Sequence, residues 1–476
     1  MNLNQTLQEK YPHLEVSVLK LSEVKKNIDF RIDDSFWTMK LICNNKLNYK
    51  KIGECLLKSQ YGISINMNEE GDGVPIYRMN DIDNMLCNFE VKKYALIDKN
   101  ELQTFRLNYG DVLFNRTNSY EFVGRTGIFY NNRENFVFAS YLVRLVCNKE
   151  ILLPEYLTVF LNTHIGKKEI RRRARPSINQ TNVNPEELKE IKIPIFPMEF
   201  QLEIQNLVKD SHKALEESKE LYKKAEETLY LELGLDPKNP LQSLLDSKID
   251  HSIKSLNISI RTLKESFLKT GRLDSEYYQS KYEDIEKFIK SYPNGYDSFS
   301  SIINNKDTNF TPKNNENYSY IELANIGNNG NISEPISDLG KNLPTRARRI
   351  VSKGDVIISS IEGSLSSCAL ITQEFDKHLV STGFFVLNSK LLNGETLLVM
   401  FKSQIFQEYL KKFPSGTILC AINKEELSKI LIPKIDSTTQ EKIAKYIQES
   451  FNLRKKSKQL LDNAKIKVEE QIQGKI

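Results

Sequence analysis

The sequence predicts an α+β fold in which one arrangement, a globular region followed by a long helix, occurs twice. The chain has 476 residues, more than the size at which a single hydrophobic core usually stops growing. Short motifs recur in the same order along the two halves, and a heptad spacing in one helical stretch recurs in a second. These observations predict a first globular region at 1–195, a central long helix at 196–235, a second globular region at 236–433 and a C-terminal long helix at 434–476.

The internal repeat is visible in six motif pairs. Residues 31–37 read Arg-Ile-Asp-Asp-Ser-Phe-Trp and residues 272–278 read Arg-Leu-Asp-Ser-Glu-Tyr-Tyr, an offset of 272 − 31 = 241. The other offsets lie between 239 and 244. Because six collinear matches do not arise by chance, the sequence indicates a duplication with pseudo-twofold character. The later pairs are 77–82 with 321–326, 110–113 with 354–357, 155–159 with 395–399, 186–188 with 425–427, and 193–194 with 432–433.

Each globular region mixes strand and helix signals. In the first, β-rich runs at 136–138 and 142–146 lie between turn residues, and 154–170 has a helical pattern. An α+β globule follows from this mixture.

The central helix carries a heptad seam. Residues 199–233 contain neither proline nor glycine, and apolar or small residues recur in alternating steps of four and three. The same phase recurs 239 residues later, with small residues at matching positions that would let two backbones approach closely. We therefore expect an antiparallel coiled-coil pair with the globular regions at opposite ends; the alternative is that each helix packs on its own globule. The predicted helix–helix interface comprises Ile204, Leu207, Ser211, Ala214, Ser218, Leu221, Ala225, Ile443, Ser450, Leu453, Ser457, Leu460 and Ala464.

Composition restricts the class of protein. Hydrophobic residues make up 39% and charged residues 27%, which is typical of soluble globular chains. The net charge of +5 permits a polyanionic partner only if basic residues cluster locally. The first ten residues do not resemble a secretory signal, no stretch approaches the ~20 apolar residues of a membrane span, and the six cysteines form no C-x-x-C pair. We expect a cytoplasmic protein without a membrane contact, a bound metal or a disulfide framework.

Motifs for catalysis are missing from the sequence. It contains no phosphate-binding G-x-x-x-x-G-K-[ST] loop, no G-x-G-x-x-G after a strand, no H-E-x-x-H and no Asn/Asp-Pro-Pro-aromatic tetrad. The five histidines are dispersed. The pair Asp376-Lys377 could be part of a nuclease centre, but such charged pairs are common on surfaces. The sequence therefore predicts a non-catalytic chain with no catalytic residues.

Three basic segments are candidates for nucleic-acid binding. Residues 115–119 offer Asn and Arg side chains suited to base edges, or form an ordinary hydrogen-bonded turn. Residues 171–177 hold four arginines in five positions at the end of a predicted helix, where phosphate contact or the helix dipole could stabilise them. Residues 345–349 hold three more. The predicted DNA-binding residues are Arg116, Asn118, Arg171, Arg172, Arg173, Arg175, Arg346, Arg348 and Arg349.

The two repeats differ in these loops although their framework is alike. Asn115-Arg116-Thr117-Asn118 is replaced, 244 residues later, by Ser359-Ser360-Ile361-Glu362. Each globular region should then prefer a different DNA sequence, and the combined site should be asymmetric.

These motifs resemble the specificity subunit of type I restriction–modification enzymes. The resemblance rests on 31–37 and 272–278, on 110–119, on Leu379-Val380-Ser381-Thr382-Gly383-Phe384-Phe385, and on the Ile-Pro segments followed by Gln201 or Gln440 at the start of a long helix. It covers nearly the whole chain. It implies two target-recognition domains joined by two antiparallel helices, and a bipartite DNA site with a non-specific spacer.

The resemblance also implies partners and places the cofactors in them. Two methyltransferase (modification) subunits would bind this chain, largely through the helices, and restriction/translocase subunits would complete the complex on double-stranded DNA. S-adenosylmethionine, ATP and Mg²⁺ would belong to those partners and not to this chain. Two alternatives stay open: a solitary or type II-like DNA-recognition subunit, and a coiled-coil scaffold without DNA specificity.

Overall fold

The computed structural model describes residues 3–14, 16, 18–39, 41, 44–131, 135–246, 260–327, 329–416 and 420–474. The chain divides into two compact units: unit 1 holds residues 1–215 and 455–476, and unit 2 holds residues 216–454. The four predicted regions follow the order of the chain, whereas the units follow contacts, so those boundaries stay a prediction. Within the described ranges, no helix combines the length and the apolar character that crossing a membrane requires.

Unit 1 combines short helices with small sheets. Its strands are β1 (Tyr49–Lys51), β2 (Leu56–Tyr61), β3 (Val74–Tyr77), β4 (Ile82–Asp83), β5 (Leu86–Cys87), β6 (Tyr94–Ala95), β7 (Val112–Asn115), β8 (Thr117–Asn118), β9 (Thr126–Ile128), β10 (Val137–Phe138), β11 (Leu142–Cys147), β12 (Arg175–Ser177), β13 (Gln180–Asn182) and β14 (Lys192–Pro194). Its helices are α1 (Leu3–Lys10), α2 (Leu21–Val24), α3 (Asp34–Thr38), α4 (Lys99–Phe105), α5 (Pro154–Asn162), α6 (His164–Arg173) and α7 (Pro185–Lys189), with 3₁₀ helices at Ile52–Cys55 and Met79–Asp81. The long helix α8 (Met198–Glu232) begins in unit 1 and ends in unit 2.

Unit 2 has the same kind of content. Its strands are β15 (Tyr296–Ser298), β16 (Ile303–Asn305), β17 (Asn317–Ile321), β18 (Ile336–Leu339), β19 (Ala347–Ile350), β20 (Val356–Ser359), β21 (Cys368–Leu370), β22 (Leu379–Ser381), β23 (Phe384–Ser389) and β24 (Leu431–Pro433). Its helices are α9 (Pro240–Asp246), α10 (Phe267–Thr270), α11 (Ser280–Lys290), α12 (Phe299–Ile302), α13 (Gly394–Lys402), α14 (Gln404–Leu410) and α15 (Lys424–Lys429), with 3₁₀ helices at Ser275–Tyr278, Leu323–Asn325 and Gln373–Phe375. The second long helix, α16 (Ser437–Gln473), begins in unit 2 and ends in unit 1.

Four strands of the six-stranded central sheet of unit 1 match the four-stranded central sheet of unit 2 in order. Unit 1 has β2-β11-β7-β9-β5-β4, and unit 2 has β16-β23-β20-β21. A second sheet in each unit contains one parallel pair, β3 with β10 and β17 with β22. The two-stranded sheets repeat even their register, because Tyr49 faces Pro194 and Tyr296 faces Pro433. The predicted mixed helix–strand fold is confirmed, and each unit is built on the same framework.

The matched Gly-Asp motif forms the turn before the central strand of each sheet. Gly110 and Gly354 have φ values of 90° and 88°, a conformation that costs glycine little and other residues much. The aspartate that follows closes the turn, since the backbone N–H of Asn108 donates to Asp111 (2.9 Å) and that of Ser352 donates to Asp355 (2.8 Å). The strands β7 and β20 that follow are buried along their whole length because they are almost entirely apolar.

A buried glutamine holds the start of each long helix. Gln201 accepts from the backbone N–H of Leu153 at 2.9 Å and donates to the carbonyls of Ile151 and Phe196. Gln440 repeats this pattern with Asn393, Leu391 and Ile435. One amide side chain therefore joins a long helix to its unit in both repeats.

Candidate nucleic-acid interface

In unit 1, two of the predicted loops meet in one small sheet. Strand β8 lies inside the segment 115–119, and β12 and β13 form a hairpin directly after the arginine-rich helix α6. Thr181 pairs with Asn118 and Asn182 pairs with Thr117, so β13 joins the two segments. The hairpin tip projects into solvent, because Asn179 adopts a left-handed φ of 62° and Ile178 is 90% exposed.

Asn118 lies in this sheet, Arg116 directly precedes β8, and both residues are half-buried. The Arg116 guanidinium donates to the carbonyl of Ser140 (3.1 Å) and lies 5.0 Å from the centre of the Tyr61 ring. The Asn118 side chain accepts from the backbone N–H of Ser119 at 2.8 Å. Both residues retain donors that could face a ligand, while part of each side chain supports the loop.

The four arginines at 171–175 separate into different environments. Arg171 is exposed and lies over the ring of Tyr120, 5.5 Å from its centre. Arg172 lies 4.2 Å from the centre of the Phe36 ring, and burial lowers the pKa of its guanidinium. Arg173 is buried and forms an ion pair with Glu169.

Arg175, the fourth arginine, is paired with two carboxylates. It forms ion pairs with Asp29 and, at 3.3 Å, with Glu187. Two of the four positive charges are therefore paired with carboxylates, Arg173 within its own helix and Arg175 with residues of other segments. Of the four arginines, Arg171 is the best placed to contact a phosphate.

The three arginines of unit 2 also differ from one another. Arg346 is exposed in the loop before β19. Arg348 and Arg349 follow each other on β19, where the pairing with β22 shifts register between Ala347 and Arg349. Arg348 donates to the carbonyl of Thr345 at 2.9 Å, whereas Arg349 donates to the carbonyl of Phe384 and has its pKa lowered by burial. Arg346 therefore resembles Arg171, because both side chains are exposed to solvent.

Unit 2 repeats the loop-and-hairpin arrangement with different chemistry. Ala421 forms β-bridges with both Ile361 and Ser415. In unit 1, Asn182 of β13 pairs in the same way with Thr117 and Arg175. Residues 417–419 lie outside the described residues. At the positions of Arg116 and Asn118, unit 2 has Ser360, whose hydroxyl donates to the carbonyl of Gly383 at 2.9 Å, and the exposed Glu362. The frameworks agree and the exposed chemistry does not.

A basic cavity of unit 1 is lined by cationic side chains that lie far apart in the sequence. Its volume is about 260 Å³, and its lining joins the loop after β8 and helix α6 to the last third of α16. Partial burial lowers the pKa of Lys167, and the nearby Lys465, Arg171 and Arg125 lower it further. Lys465 is far from Arg171 in sequence, so only the packing of α16 reveals the cluster. The basic lining residues are Arg125, Lys167, Arg171, Lys458 and Lys465, and the acidic ones are Asp83, Glu121 and Asp462.

Two serine pairs among the predicted helix–helix residues lie in contact, one in each unit. In unit 1 the hydroxyls of Ser211 and Ser457 are 2.8 Å apart, and in unit 2 those of Ser218 and Ser450 are 3.0 Å apart. Ile204, Ser211, Ala214, Ser218, Leu221, Ala225, Ile443, Ser450, Ser457 and Ala464 are buried, and Leu207, Leu453 and Leu460 are half-buried.

The two long helices run antiparallel inside each unit. In unit 1, Glu203 forms an ion pair with Lys467 (2.7 Å), while the later residue Ser211 contacts the earlier Ser457. In unit 2, Glu232 accepts from Thr439 (2.9 Å) at the end of α8 and the start of α16.

A comparison with protein families supports the resemblance. The family model described as the type I restriction modification DNA specificity domain matches residues 44–227, which include the loop, the hairpin and most of α8. This part of the chain is therefore similar to the DNA specificity domain of type I restriction–modification enzymes. The resemblance seen in the sequence motifs is thereby confirmed.

Curated specificity subunits extend the similarity beyond residues 44–227. The type I restriction enzyme MjaX specificity subunit of Methanocaldococcus jannaschii is 22% identical over 86% of this chain and 88% of its own length. The EcoKI specificity subunit of Escherichia coli is 27% identical over 33% of this chain and 34% of its own. The HindI specificity subunit of Haemophilus influenzae is 29% identical over 26% and 28%.

Solved structures of specificity subunits are similar to this chain at low identity. The type I S subunit from M. genitalium has a TM-score of 0.42 and 14% identity, covering 90% of this chain and 96% of that one. The HsdS subunit from Thermoanaerobacter tengcongensis has a TM-score of 0.30 and 13% identity, covering 91% and 98%.

Among the described residues, no group of three or more His, Cys, Asp or Glu side chains could hold a metal ion. The match to the DNA specificity domain model, and not this absence, points to DNA recognition.

Proposed function

We propose that this chain acts as a specificity subunit and recognises a bipartite, asymmetric DNA site, with each unit reading one half. The observation that carries the proposal is the contrast between a shared framework and unlike loops. Strand orders, register and the buried glutamines agree between the units, whereas Arg116 and Asn118 are replaced by Ser360 and Glu362. The cationic Arg116 is thus exchanged for a neutral hydroxyl, and the amide of Asn118, which donates and accepts, for a carboxylate that only accepts. The two loops would therefore select different base edges.

We also propose that α8 and α16 act as a coiled-coil spacer between two target-recognition domains. The buried serine pairs support this role, since small side chains let two helices approach closely. The helix α8 has 35 residues, which at ~1.5 Å per residue correspond to about 50 Å. That length exceeds the ~34–36 Å of one turn of B-DNA, so a non-specific spacer would separate the half-sites.

Catalysis would belong to partner subunits in this proposal. Two methyltransferase subunits and the restriction/translocase subunits would supply the chemistry in the cytoplasm, together with the sites for S-adenosylmethionine, ATP and Mg²⁺. This chain would contribute sequence choice and geometry. The lack of nucleotide-binding and methyltransferase motifs in the sequence supports that division.

Selection from a randomised duplex library by the complex with its methyltransferase partner tests the proposal. We expect two short unlike motifs with a gap of fixed length, and binding that weakens steeply as salt rises. A complex that shows no sequence preference at low salt, or that selects one continuous motif, contradicts it.

Arg171→Ala provides the residue-level arm of the same experiment. The variant should weaken binding to all sequences about equally, because a phosphate contact carries no sequence information. The matched control is Lys223→Ala on α8, since Lys223 is also exposed and pairs only loosely with Glu227 at 3.8 Å. Equal effects of the two substitutions would remove Arg171 from the interface.

A further inference from the structure

A tripeptide of arginine, an apolar residue and aspartate presents its apolar side chain to solvent in both units. Ile32 lies between Arg31 and Asp33 and is 83% exposed; Leu273 lies between Arg272 and Asp274 and is 70% exposed. The two positions correspond at the offset of 241. A single exposed leucine or isoleucine is ordinary on a protein surface, but a matched pair in two diverged repeats is not explained by scatter.

In unit 1, an arginine–aspartate fork fixes the direction of Ile32. The Nε and Nη2 atoms of Arg31 donate to the two carboxylate oxygens of Asp33, both at 2.7 Å. Trp37 donates from Nε1 to the carbonyl of Arg31 at 2.7 Å, and the Arg31 guanidinium lies 4.9 Å from the centre of the Phe36 ring. Because residues 31 and 33 are tied together beneath it, the side chain of Ile32 points outward.

In unit 2, different residues build the same fork. Arg272 donates from Nε to Asp274 at 2.8 Å and from Nη2 at 2.5 Å. Tyr278 takes the place of Trp37 and donates to the carbonyl of Arg272 at 3.0 Å, while the guanidinium lies 4.5 Å from the Tyr277 ring centre. The aromatic pairs are both T-shaped, with centroids 5.1 Å apart in unit 1 and 5.0 Å in unit 2.

The shared geometry indicates a ligand that is the same for both units. Two unlike DNA half-sites would be met by features that differ, as the loops at 115–119 and 359–362 do. The arginine–aspartate fork is present in both units, and in both an aromatic side chain donates to the carbonyl of the arginine. Such a shared feature is suited to two copies of one partner. Comparison of the two repeats therefore distinguishes surfaces for DNA, which differ between the units, from surfaces for a common partner, which are alike.

The charge beside the apolar side chains argues against DNA as that ligand. Each fork is itself neutral, because Arg31 pairs with Asp33 and Arg272 pairs with Asp274. The exposed carboxylates of Asp34 and Glu276, which follow the forks in the sequence, add a negative charge beside each apolar side chain. Acidic groups repel the phosphate backbone, whereas an apolar residue with an acidic rim is complementary to a protein pocket lined by lysine or arginine.

We infer that Ile32 and Leu273 are equivalent anchors for two copies of the methyltransferase subunit. The inference rests on the proposed function and adds to it a docking point on each globular unit, apart from the long helices. Each copy would bury one aliphatic side chain in an apolar pocket and place basic residues against the neighbouring carboxylates. Rigid presentation by the fork lowers the entropy lost on docking.

The experiment counts methyltransferase copies on the full-length chain by native mass spectrometry. Wild type should carry two copies, Ile32→Asp one, Leu273→Asp one, and the double variant none, because a carboxylate in an apolar pocket weakens each site at least tenfold. Ile32→Leu should retain two copies. The control is Leu57→Asp, since Leu57 on β2 is also 70% exposed and in unit 1; it should retain two.

The outcomes separate this inference from the proposed function. If all variants keep two copies, or if they lose DNA affinity while keeping two copies, the anchor assignment is overturned, although the wild-type complex can still select a bipartite site. If the wild-type chain binds no methyltransferase and selects no sequence, the proposed function fails and takes the inference with it. Unchanged thermal unfolding of each variant shows that a loss of copies is not a loss of fold.

Discussion

The hydroxyl oxygens of Ser211 and Ser457 lie 2.8 Å apart in unit 1, on two helices whose contact residues are separated by 246 positions in the chain. Both side chains are buried, and the Ser211 hydroxyl also reaches the backbone carbonyl of Ser457 at 3.0 Å. Contact with a backbone carbonyl requires that the helices be close, and serine is small enough to permit it.

A bulky side chain at this position should force the two helices apart. We expect Ser211→Leu to lower the free energy of unfolding by about 1–3 kcal/mol through overpacking, and Ser211→Ala by about 1 kcal/mol through the lost hydrogen bond. Urea unfolding measures both. The control is Lys213→Leu on the exposed face of α8, which should change stability by less than about 0.5 kcal/mol. Equal effects of the two leucine substitutions would show that the serine contact is unimportant.

Arg171 and Arg172 should respond oppositely to truncation although they are neighbours. Arg172 is packed on the Phe36 ring, so Arg172→Ala should lower the stability of unit 1 by about 1–2 kcal/mol. Arg171→Ala should leave stability nearly unchanged and weaken DNA binding. Thermal unfolding and salt-dependent DNA binding distinguish the two roles, and a variant Arg172→Ala with full stability would contradict the assignment.

The internal repeat supplies an independent check on Arg172. At the offset 412 − 172 = 240, Lys412 lies 4.9 Å from the centre of the Tyr277 ring and pairs with Glu286. Tyr277 is the counterpart of Phe36. A cation on the same ring in both units indicates a role in the framework, and comparing 172 with 412 in the sequence could have revealed it.

Features that depend on residues close together in the sequence could be predicted, whereas contacts between distant residues could not. The Gly-Asp turns, the helical stretches and the duplication depend on nearby residues or on internal comparison, and they were predictable. Arg175 is neutralised by Asp29, which lies 146 residues away, so no local pattern could show that its charge is already used. The cavity cation Lys465 comes from a helix more than 290 positions beyond Arg171, and only tertiary packing brings the two together.

Removing the glutamine that anchors a long helix should destabilise one unit strongly. Gln201→Ala removes the side-chain partner of two buried backbone groups, at Leu153 and Phe196, and of a partly buried one at Ile151, and should lower the free energy of unfolding by about 2–4 kcal/mol. Gln440→Ala should have a similar effect in unit 2. The control is Asn206→Ala at an exposed position of α8, and urea unfolding with a spectroscopic probe in each unit measures the difference. A loss below about 1 kcal/mol for Gln201→Ala would contradict the anchoring role.

The arginine–aspartate fork of unit 2 should leave a signature in the pH dependence of stability. Hydrogen bonding to Arg272 is the main cause that lowers the pKa of the Asp274 carboxyl group, whose ordinary value is about 3.9. A carboxyl whose folded pKa is lowered stabilises the protein fully above the unfolded pKa, and this contribution is lost as the pH falls through the folded pKa.

Asp274→Asn tests this prediction. The variant should be less stable than wild type at neutral pH, and the difference should shrink as the pH falls below about 4, because protonated Asp274 and asparagine are then similarly uncharged. Thermal unfolding across pH 2–7 measures the difference (the pH range is roughly that in which carboxyl groups titrate). In a second measurement, Arg272→Gln should raise the pKa of Asp274 back toward its ordinary value, as followed by NMR titration of the carboxyl carbon. If Asp274 titrates at the same pH with and without the arginine, the fork does not carry the interaction, and Leu273 would lose the support that holds its side chain outward.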